Sequence, residues 1–308
     1  MGGQWLRTVQ ESAKTLSATQ GTFTVTVNLP KTNFINNLLI RLQRTAAATH
    51  AASTTTIAWI DVVGNSSSSI IHLSGAEAQK FMLFDYANAQ QTTSANGALN
   101  LADGTASAAN SEVSSYPYII SFGRFIGDTL AVLPAKAFKS LQLKITYTNG
   151  TADLAGLALY VSIDELVSDD AVNTKFMLKK TEIEGKATGT GDVDFDLPLG
   201  NAYRRIMLGV SAATTVTTIS LRANNGSEIP FTDEYINIQL MNAYDYELVS
   251  TVTLGQIYTP LYILIDLDRA DTLGKVVDTA NYNDLKLRVS RGSTTTTTTV
   301  IAEEVVIM

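Results

Sequence analysis

Residues 118–146 read YIISFGRFIGDTLAVLPAKAFKSLQLKIT, and residues 262–290 read YILIDLDRADTLGKVVDTANYNDLKLRVS. In each, an apolar block leads through a turn region into a second block of alternating apolar and polar residues. Tyr118 stands against Tyr262 and Leu141 against Leu285, both at an offset of 144. Asp128-Thr129-Leu130 stands against Asp271-Thr272-Leu273 at an offset of 143, so one residue slips between the blocks. Identities are few. What recurs is strand periodicity in the same places, and internal self-similarity is the first thing to establish about a fold.

The repeat extends upstream. Residues 23–42 read FTVTVNLPKTNFINNLLIRL, and 191–210 read GDVDFDLPLGNAYRRIMLGV. Leu29-Pro30 meets Leu197-Pro198 at an offset of 168, with Leu38, Leu39 and Ile40 on Ile206, Met207 and Leu208. Phe84-Asp85-Tyr86 meets Tyr244-Asp245-Tyr246 at 160. The falling offset means that the first copy has the longer loops, with its largest excess between Tyr86 and Tyr116. One order of blocks used twice predicts two similar domains, whereas a solenoid needs many short repeats.

Length agrees. The chain has 308 residues, and single cores stop growing at roughly 250–300 residues. A net charge of −7 argues against a protein that coats nucleic acid by neutralising phosphates. The absence of cysteine excludes disulfides, thiolate chemistry and Cys-ligated zinc. No signal peptide is recognised at the start, and no run of 18 apolar residues predicts a membrane span.

Along the chain, Trp5, Val9, Ala13 and Leu16 fall at helical spacing, which predicts a short amphipathic helix over Gln4–Leu16, outside the β domains. From Gly21 the period becomes two. Strands are expected at Phe23–Val27, Leu38–Gln43, Ile57–Val63, Ile70–Leu73, Lys80–Tyr86, Tyr118–Phe122, Leu141–Tyr147 and Leu157–Ile163. Gly75–Gln79 fits one helical turn, and Leu130–Phe138 a short helix. Ala87–Ser115, rich in small polar residues, reads as a long exposed loop, expected to project outward. Glu165–Lys180 reads as a linker. The second copy repeats the scheme at Val193–Leu197, Arg205–Val210, Thr217–Ala223, Glu228–Phe231, Tyr235–Met241, Leu261–Leu267, Leu285–Ser290 and Val300–Ile307. Met177–Ile183 is an additional strand, and Thr294–Thr299 a hairpin tip. The expected fold is therefore all-β: two tandem eight-stranded jelly rolls after a short N-terminal helix. Residues 1–20 would be the helical arm, 21–167 the first jelly roll, and 168–308 the linker and second jelly roll.

No residue is assigned a catalytic, cofactor-binding or metal-ligating role. His50 and His72 lack a Ser or Asp motif that would make either a general base. Asp192, Asp194 and Asp196 could ligate calcium, or form the solvent face of a strand. Asp266, Asp268 and Asp271 pose the same alternative. Gly185-Lys186 is not a phosphate loop, because Ala187 follows and Lys180 stands where the first glycine is required. The sequons at Asn65, Asn149 and Asn225 also read as turns.

These features together resemble the double jelly-roll major capsid proteins of tailless icosahedral viruses, with the flavour of small bacteriophages that carry an internal membrane. The resemblance rests on the two copies Phe23–Ile163 and Val193–Ile307, the segment Gln4–Leu16 and the polar stretch Ala87–Ser115. It implies a homotrimer whose six jelly rolls form a pseudo-hexagonal capsomer of the virion shell. Partners would be neighbouring capsomers and minor capsid proteins, with contact to an internal viral membrane through the N-terminal helix, and no direct nucleic acid. It implies no catalytic residues. Two other classes stay open: a carbohydrate-binding or carbohydrate-cleaving β-sandwich, for which tyrosines such as Tyr116, Tyr118, Tyr147 and Tyr160 could line a concave face, and a phage tail, fibre or surface-layer protein.

Overall fold

The computed structural model describes residues 4–46, 53–85, 105–108, 113–125, 127–150, 154–167, 176–211, 216–246, 262–269, 273 and 276–307. The chain divides into two compact units, the first reaching Leu178 and the second running from Lys179 to Ile307.

The first unit contains β1 (Gln4–Thr15), β2 (Gly21–Asn28), β3 (Phe34–Ala46), β4 (Ser53–Gly64), β5 (Ser68–Leu73), α1 (Gly75–Asp85), β6 (Thr105–Ala108), β7 (Val113–Ser121), β8 (Leu133–Pro134), β9 (Leu141–Asn149) and β10 (Leu154–Val167). One sheet has the order β1-β10-β3-β7, and the other β5-β4-β9-β2. β8 adds to β3 and β6 to β4. The chain passes repeatedly between the sheets, as in a jelly roll. Alternation explains the packing. Along β9, Leu141, Leu143, Ile145 and Tyr147 are buried while their neighbours are half-buried. Leu38, Ile40 and Leu42 of β3 and Leu159, Val161 and Ile163 of β10 are likewise buried. Each such side chain contributes about 1.5–3 kcal/mol of burial.

The second unit contains β11 (Phe176–Asp196) from Lys179 onward, β12 (Ala202–Val210), β13 (Val216–Ala223), β14 (Glu228–Glu234), α2 (Tyr235–Asp245), β15 (Tyr262–Asp266), β16 (Val277–Asp278) and β17 (Leu285–Ile307). β17 serves twice. Its residues 285–291 pair with β13, and its residues 298–305 pair with β12. The orders are β14-β13-β17-β11 on one side, and β12 between β17 and β15 on the other. The core includes Ile206, Leu208, Ile219, Leu221, Leu287 and Val289.

The two units share this plan down to single hydrogen bonds. Leu29 donates its N–H to the Leu141 carbonyl at 2.9 Å, and Leu197 donates to Leu285 at 2.9 Å. Phe122 donates to Asn36 at 2.8 Å, and Leu267 to Arg204 at 3.0 Å. Asn65 and Asn224 both adopt positive φ, 51° and 54°. Each side-chain carbonyl accepts the N–H of the residue two before the next core strand, Lys139 at 2.7 Å and Asn283 at 2.9 Å. α1 and α2 begin and end at an offset of 160 (75 against 235, 85 against 245). In the 118 and 262 blocks the partner is displaced by one. Tyr118 faces Ile40, whereas Ile263 faces Leu208, so Tyr118 corresponds to Ile263 rather than Tyr262.

Several expectations need correction. Gln4–Thr15 is a strand and not a helix. β1 pairs with β10 and belongs to the first unit, so no separate helical arm stands at residues 4–15. Register shifts between Val9 and Glu11 and between Glu11 and Lys14, with Ala13 at φ 54°, break its alternation and imitate a helical period. Lys80–Tyr86 and Tyr235–Met241 were expected as strands, but α1 and α2 occupy them as far as residue 85 and residue 241. The eighth strand of each jelly roll is therefore β1 in the first copy and the Met177–Ile183 part of β11 in the second. Leu130–Phe138 holds β8 and a single 3-10 turn, Ala135–Ala137. Of the expected linker, Glu165–Val167 lies in β10 and Phe176–Lys180 in β11. Thr294–Thr299 lies within β17. Of the stretch Ala87–Ser115, Thr105–Ala108 is β6 and Val113–Ser115 opens β7, while 87–104 and 109–112 lie outside the described residues.

Candidate assembly surfaces

At one end of each jelly roll the residues after Leu-Pro build a buried polar layer. In the first unit, Asn36 accepts the Gly127 N–H, and Arg124 grips Asp128 through Nε at 2.7 Å and Nη2 at 2.8 Å. Asp128 also accepts N–H groups from Arg124, Leu130 and Ala131. Burial alone would push its carboxyl up, but these donors outweigh burial and hold it below the usual carboxylate range. In the second unit the equivalents of Asn36 and Asn37 are Arg204 and Arg205. Both guanidinium groups bind the fully buried Glu303, Arg205 at 2.7 and 2.8 Å, and Lys180 lies 3.3 Å from the same carboxylate. Burial again opposes ionisation, and Arg205, Arg204 and Lys180 overcome it, so Glu303 sits well below its ordinary range. Asp268 accepts the Leu273 N–H at 2.7 Å, the part that Asp128 plays for Leu130 in the first copy.

The candidate sites from the sequence fall as follows. Asp194 is bound bidentately by Arg288 at 2.6 and 2.7 Å, which lowers its carboxyl below the usual range. Asp196 lies 3.4 Å from Lys286, and Asp192 3.9 Å from Arg288. With Phe195 buried between Asp194 and Asp196 and Leu197 buried after them, these carboxylates line the outer face of a strand and are met by cations of the neighbouring one. Asp266 accepts the Tyr246 hydroxyl and the Asp268 N–H, and Asp271 lies outside the described residues. Among the described residues no group of three or more His, Cys, Asp or Glu side chains is placed to hold a metal ion. His72 bonds Asp61 across the strands at 2.6 Å and stacks on Trp59 at 4.3 Å, while His50 lies outside the described residues. Gly185-Lys186 lies inside β11. Asn65 and Asn225 occupy turns at positive φ, and Asn149 is a buried donor to Ser17 and Thr19. Tyr118 and Tyr147 are core residues, and Tyr160 is capped by Arg41 at 3.7 Å, so these three offer no open aromatic face.

What the described surface does offer is apolar area. In the first unit, Trp5, Leu6 and Val9 of β1 are exposed, as is Phe125, two residues from Gly127, which Trp5 approaches. β1 is also the end strand of its sheet among the described residues. In the second unit, α2 buries Tyr235, Ile238, Gln239 and Asn242 and exposes Ile236, Leu240, Met241 and Tyr244. Both sets follow helical spacing, so α2 buries a mixed face within the unit, with Asn242 bonded to the Leu264 backbone, and leaves an apolar face exposed.

No protein-family model matches the chain, and no curated protein matches it. Solved structures do. The crystal structure of the STIV major capsid protein aligns with a TM-score of 0.69 at 15% identity, over 99% of this chain and 97% of that one. A chain of the Sulfolobus Turreted Icosahedral Virus structure gives 0.71 at 15% identity, over 99% and 91%. The major capsid protein P2 from bacteriophage PM2 gives 0.64 at 10% identity, over 99% and 98%. The chain has the double jelly-roll fold. At these identities architecture is what is shared, and residue roles do not transfer between the proteins. Function is therefore argued from this chain's own surface.

The double jelly roll of this chain covers its cores and leaves apolar rows on an edge strand and on a helix. Such rows are not needed for folding, and long open edges are normally blunted. Among the described residues no helix is long and apolar enough to cross a membrane. Residues 4–15 form a strand, so the amphipathic helix through which a membrane contact was expected is not present over them.

Proposed function

We propose that this chain is a shell-building structural protein, the major capsid protein of an icosahedral virion. It acts as a homotrimer in which six jelly rolls form one pseudo-hexagonal capsomer, placed beside neighbouring capsomers and minor capsid proteins. The observation that carries the proposal is the pair of jelly rolls with equivalent hydrogen bonds, together with full-length likeness to capsid proteins. A duplicated subunit gives a threefold ring six similar sides, while each half stays free to evolve its own contacts. The differences between the halves fit that use, since one polar layer is built on asparagine and the other on a buried arginine pair. The role requires no catalytic group, and none is assigned.

Native mass spectrometry of the purified chain tests the reading. A species near 100 kDa, three times the 33.1 kDa chain, is expected. A protein that stays at 33.1 kDa across micromolar concentrations would count against a capsomer subunit.

A further inference from the structure

The exposed face of α2 is apolar and is not used within its own unit. We infer that it is covered by the first unit of a second copy of this chain, which makes α2 the seat of the subunit contact in the trimer. The inference rests on the trimeric reading above.

Three observations carry it. The first is area. Ile236, Leu240, Met241 and Tyr244 are 53%, 48%, 37% and 82% exposed. Together they present on the order of 400 Å2 of one helix face, the size of the largest apolar patch on a typical monomer, which is often functional. That is about half of the roughly 800 Å2 that one partner contributes to a stable interface. The second is the internal duplicate. At the offset of 160, Met241 and Tyr244 correspond to Phe81 and Phe84 of α1, which are only 2% and 3% exposed. At these two positions the helix is covered in the first unit and bare in the second, while Ala76 and Lys80, the equivalents of Ile236 and Leu240, are half-buried. The third is charge. α2 carries no basic residue, and its N-terminal end bears Asp233 and Glu234, while Asp245 at the other end is paired with Arg269 at 2.7 Å. A phosphate backbone or an anionic lipid surface would be repelled.

A threefold ring closes through a heterologous contact, in which two different patches of each subunit meet. The first unit supplies the complement. Trp5, Val9 and Phe125 are exposed there, so one apolar surface meets another, while the nearby cations are already engaged, Arg7 by Asp164 and Arg124 by Asp128.

Because the chain has no cysteine, Tyr244→Cys places one thiol at the most exposed position of the face. Its maleimide labelling should be at least tenfold slower in the trimer than in subunits separated by dilution. The double variant Leu240→Asp/Tyr244→Asp should run as a monomer with unchanged far-UV circular dichroism. Val9→Asp should weaken the trimer in the same way. A wild-type trimer that labels Tyr244→Cys freely, and survives the double variant, overturns the inference and leaves the trimeric reading standing. Protection that persists in separated subunits also overturns it, since the cover would then come from the same chain. Protection only in assembled shells would assign the face to another capsomer and overturn it too. A wild-type monomer would instead defeat the trimeric reading itself.

Discussion

Glu303 is enclosed on all sides, and three cations converge on it. Removing one member of a buried ionic group leaves uncompensated charge, which typically costs about 3–5 kcal/mol. Glu303→Ala should therefore lower the unfolding free energy by about that much in a urea titration, and a loss below about 1 kcal/mol would mean that the cluster is not held together as described. Asp128 and Glu303 both have carboxyls depressed in the folded state, so their stabilisation is present above the unfolded pKa values, about 3.9 and 4.3, and is lost as pH falls through the lower folded ones. Stability from this source should be flat between about pH 5 and 8 and decline below about pH 4. The gap between wild type and Asp128→Asn, measured by urea unfolding, should close over that acid range; a gap that stays constant to pH 2.5 would contradict the assignment. Asn65 and Asn224 make a finer test, because both accept one loop N–H from an equivalent turn. Asn65→Ala and Asn224→Ala should each cost about 1 kcal/mol. Little of this residue scale was legible in advance. The aspartates of β11 show why: Asp192, Asp194 and Asp196 alternate in the sequence, but only the register against Lys286 and Arg288 shows that cations already meet them.

β1 is the element whose reading changes most between sequence and structure. As a separate helix, residues 1–18 could be deleted and leave soluble protein. Residues 4–15 are instead the strand hydrogen-bonded along β10, and the deletion removes it. Their loss would uncover β10, including Val161 and Ile163, and leave a new open edge. The truncated chain should be recovered mainly as aggregate, and any soluble fraction should melt well below wild type in a scanning fluorescence experiment. A truncated chain that stays soluble with an unchanged melting temperature would show that β1 is dispensable. Two bulges and the positive φ of Ala13 hid this strand, since extra residues turn a period of two into something near four. The two helices were hidden for different reasons. α1 carries a readable capping box: Ser74 donates its N–H to Glu77 at 2.8 Å, and Glu77 returns its N–H to the Ser74 hydroxyl at 3.3 Å. The first turn was legible there, but the apolar run Phe81–Phe84 suggested a strand beyond it. In α2, apolar residues on both faces erase the amphipathic contrast on which periodicity depends. The feature that concealed the helix is the one that makes its outer face a contact surface.

At the scale of the molecule, the duplication was legible because its anchors are backbone positions: Leu-Pro at a strand end, the apolar triplet after it, and the alternating strand from Leu141 or Leu285. Offsets of 168, 160 and 144 at those anchors match equivalent places in both units. The block at Tyr118 and Tyr262 slips by one because two neighbouring apolar residues compete for the inward position, and only pairing with β3 or β12 decides between them. The central claim is that these two jelly rolls are the repeating material of a shell. Cryo-electron microscopy of the particle from which the protein is purified tests it most directly. Capsomers of pseudo-hexagonal outline with true threefold symmetry are expected, each containing three chains and six jelly rolls into which both units fit. Capsomers with one jelly roll per chain, or this chain absent from the shell lattice, would contradict it.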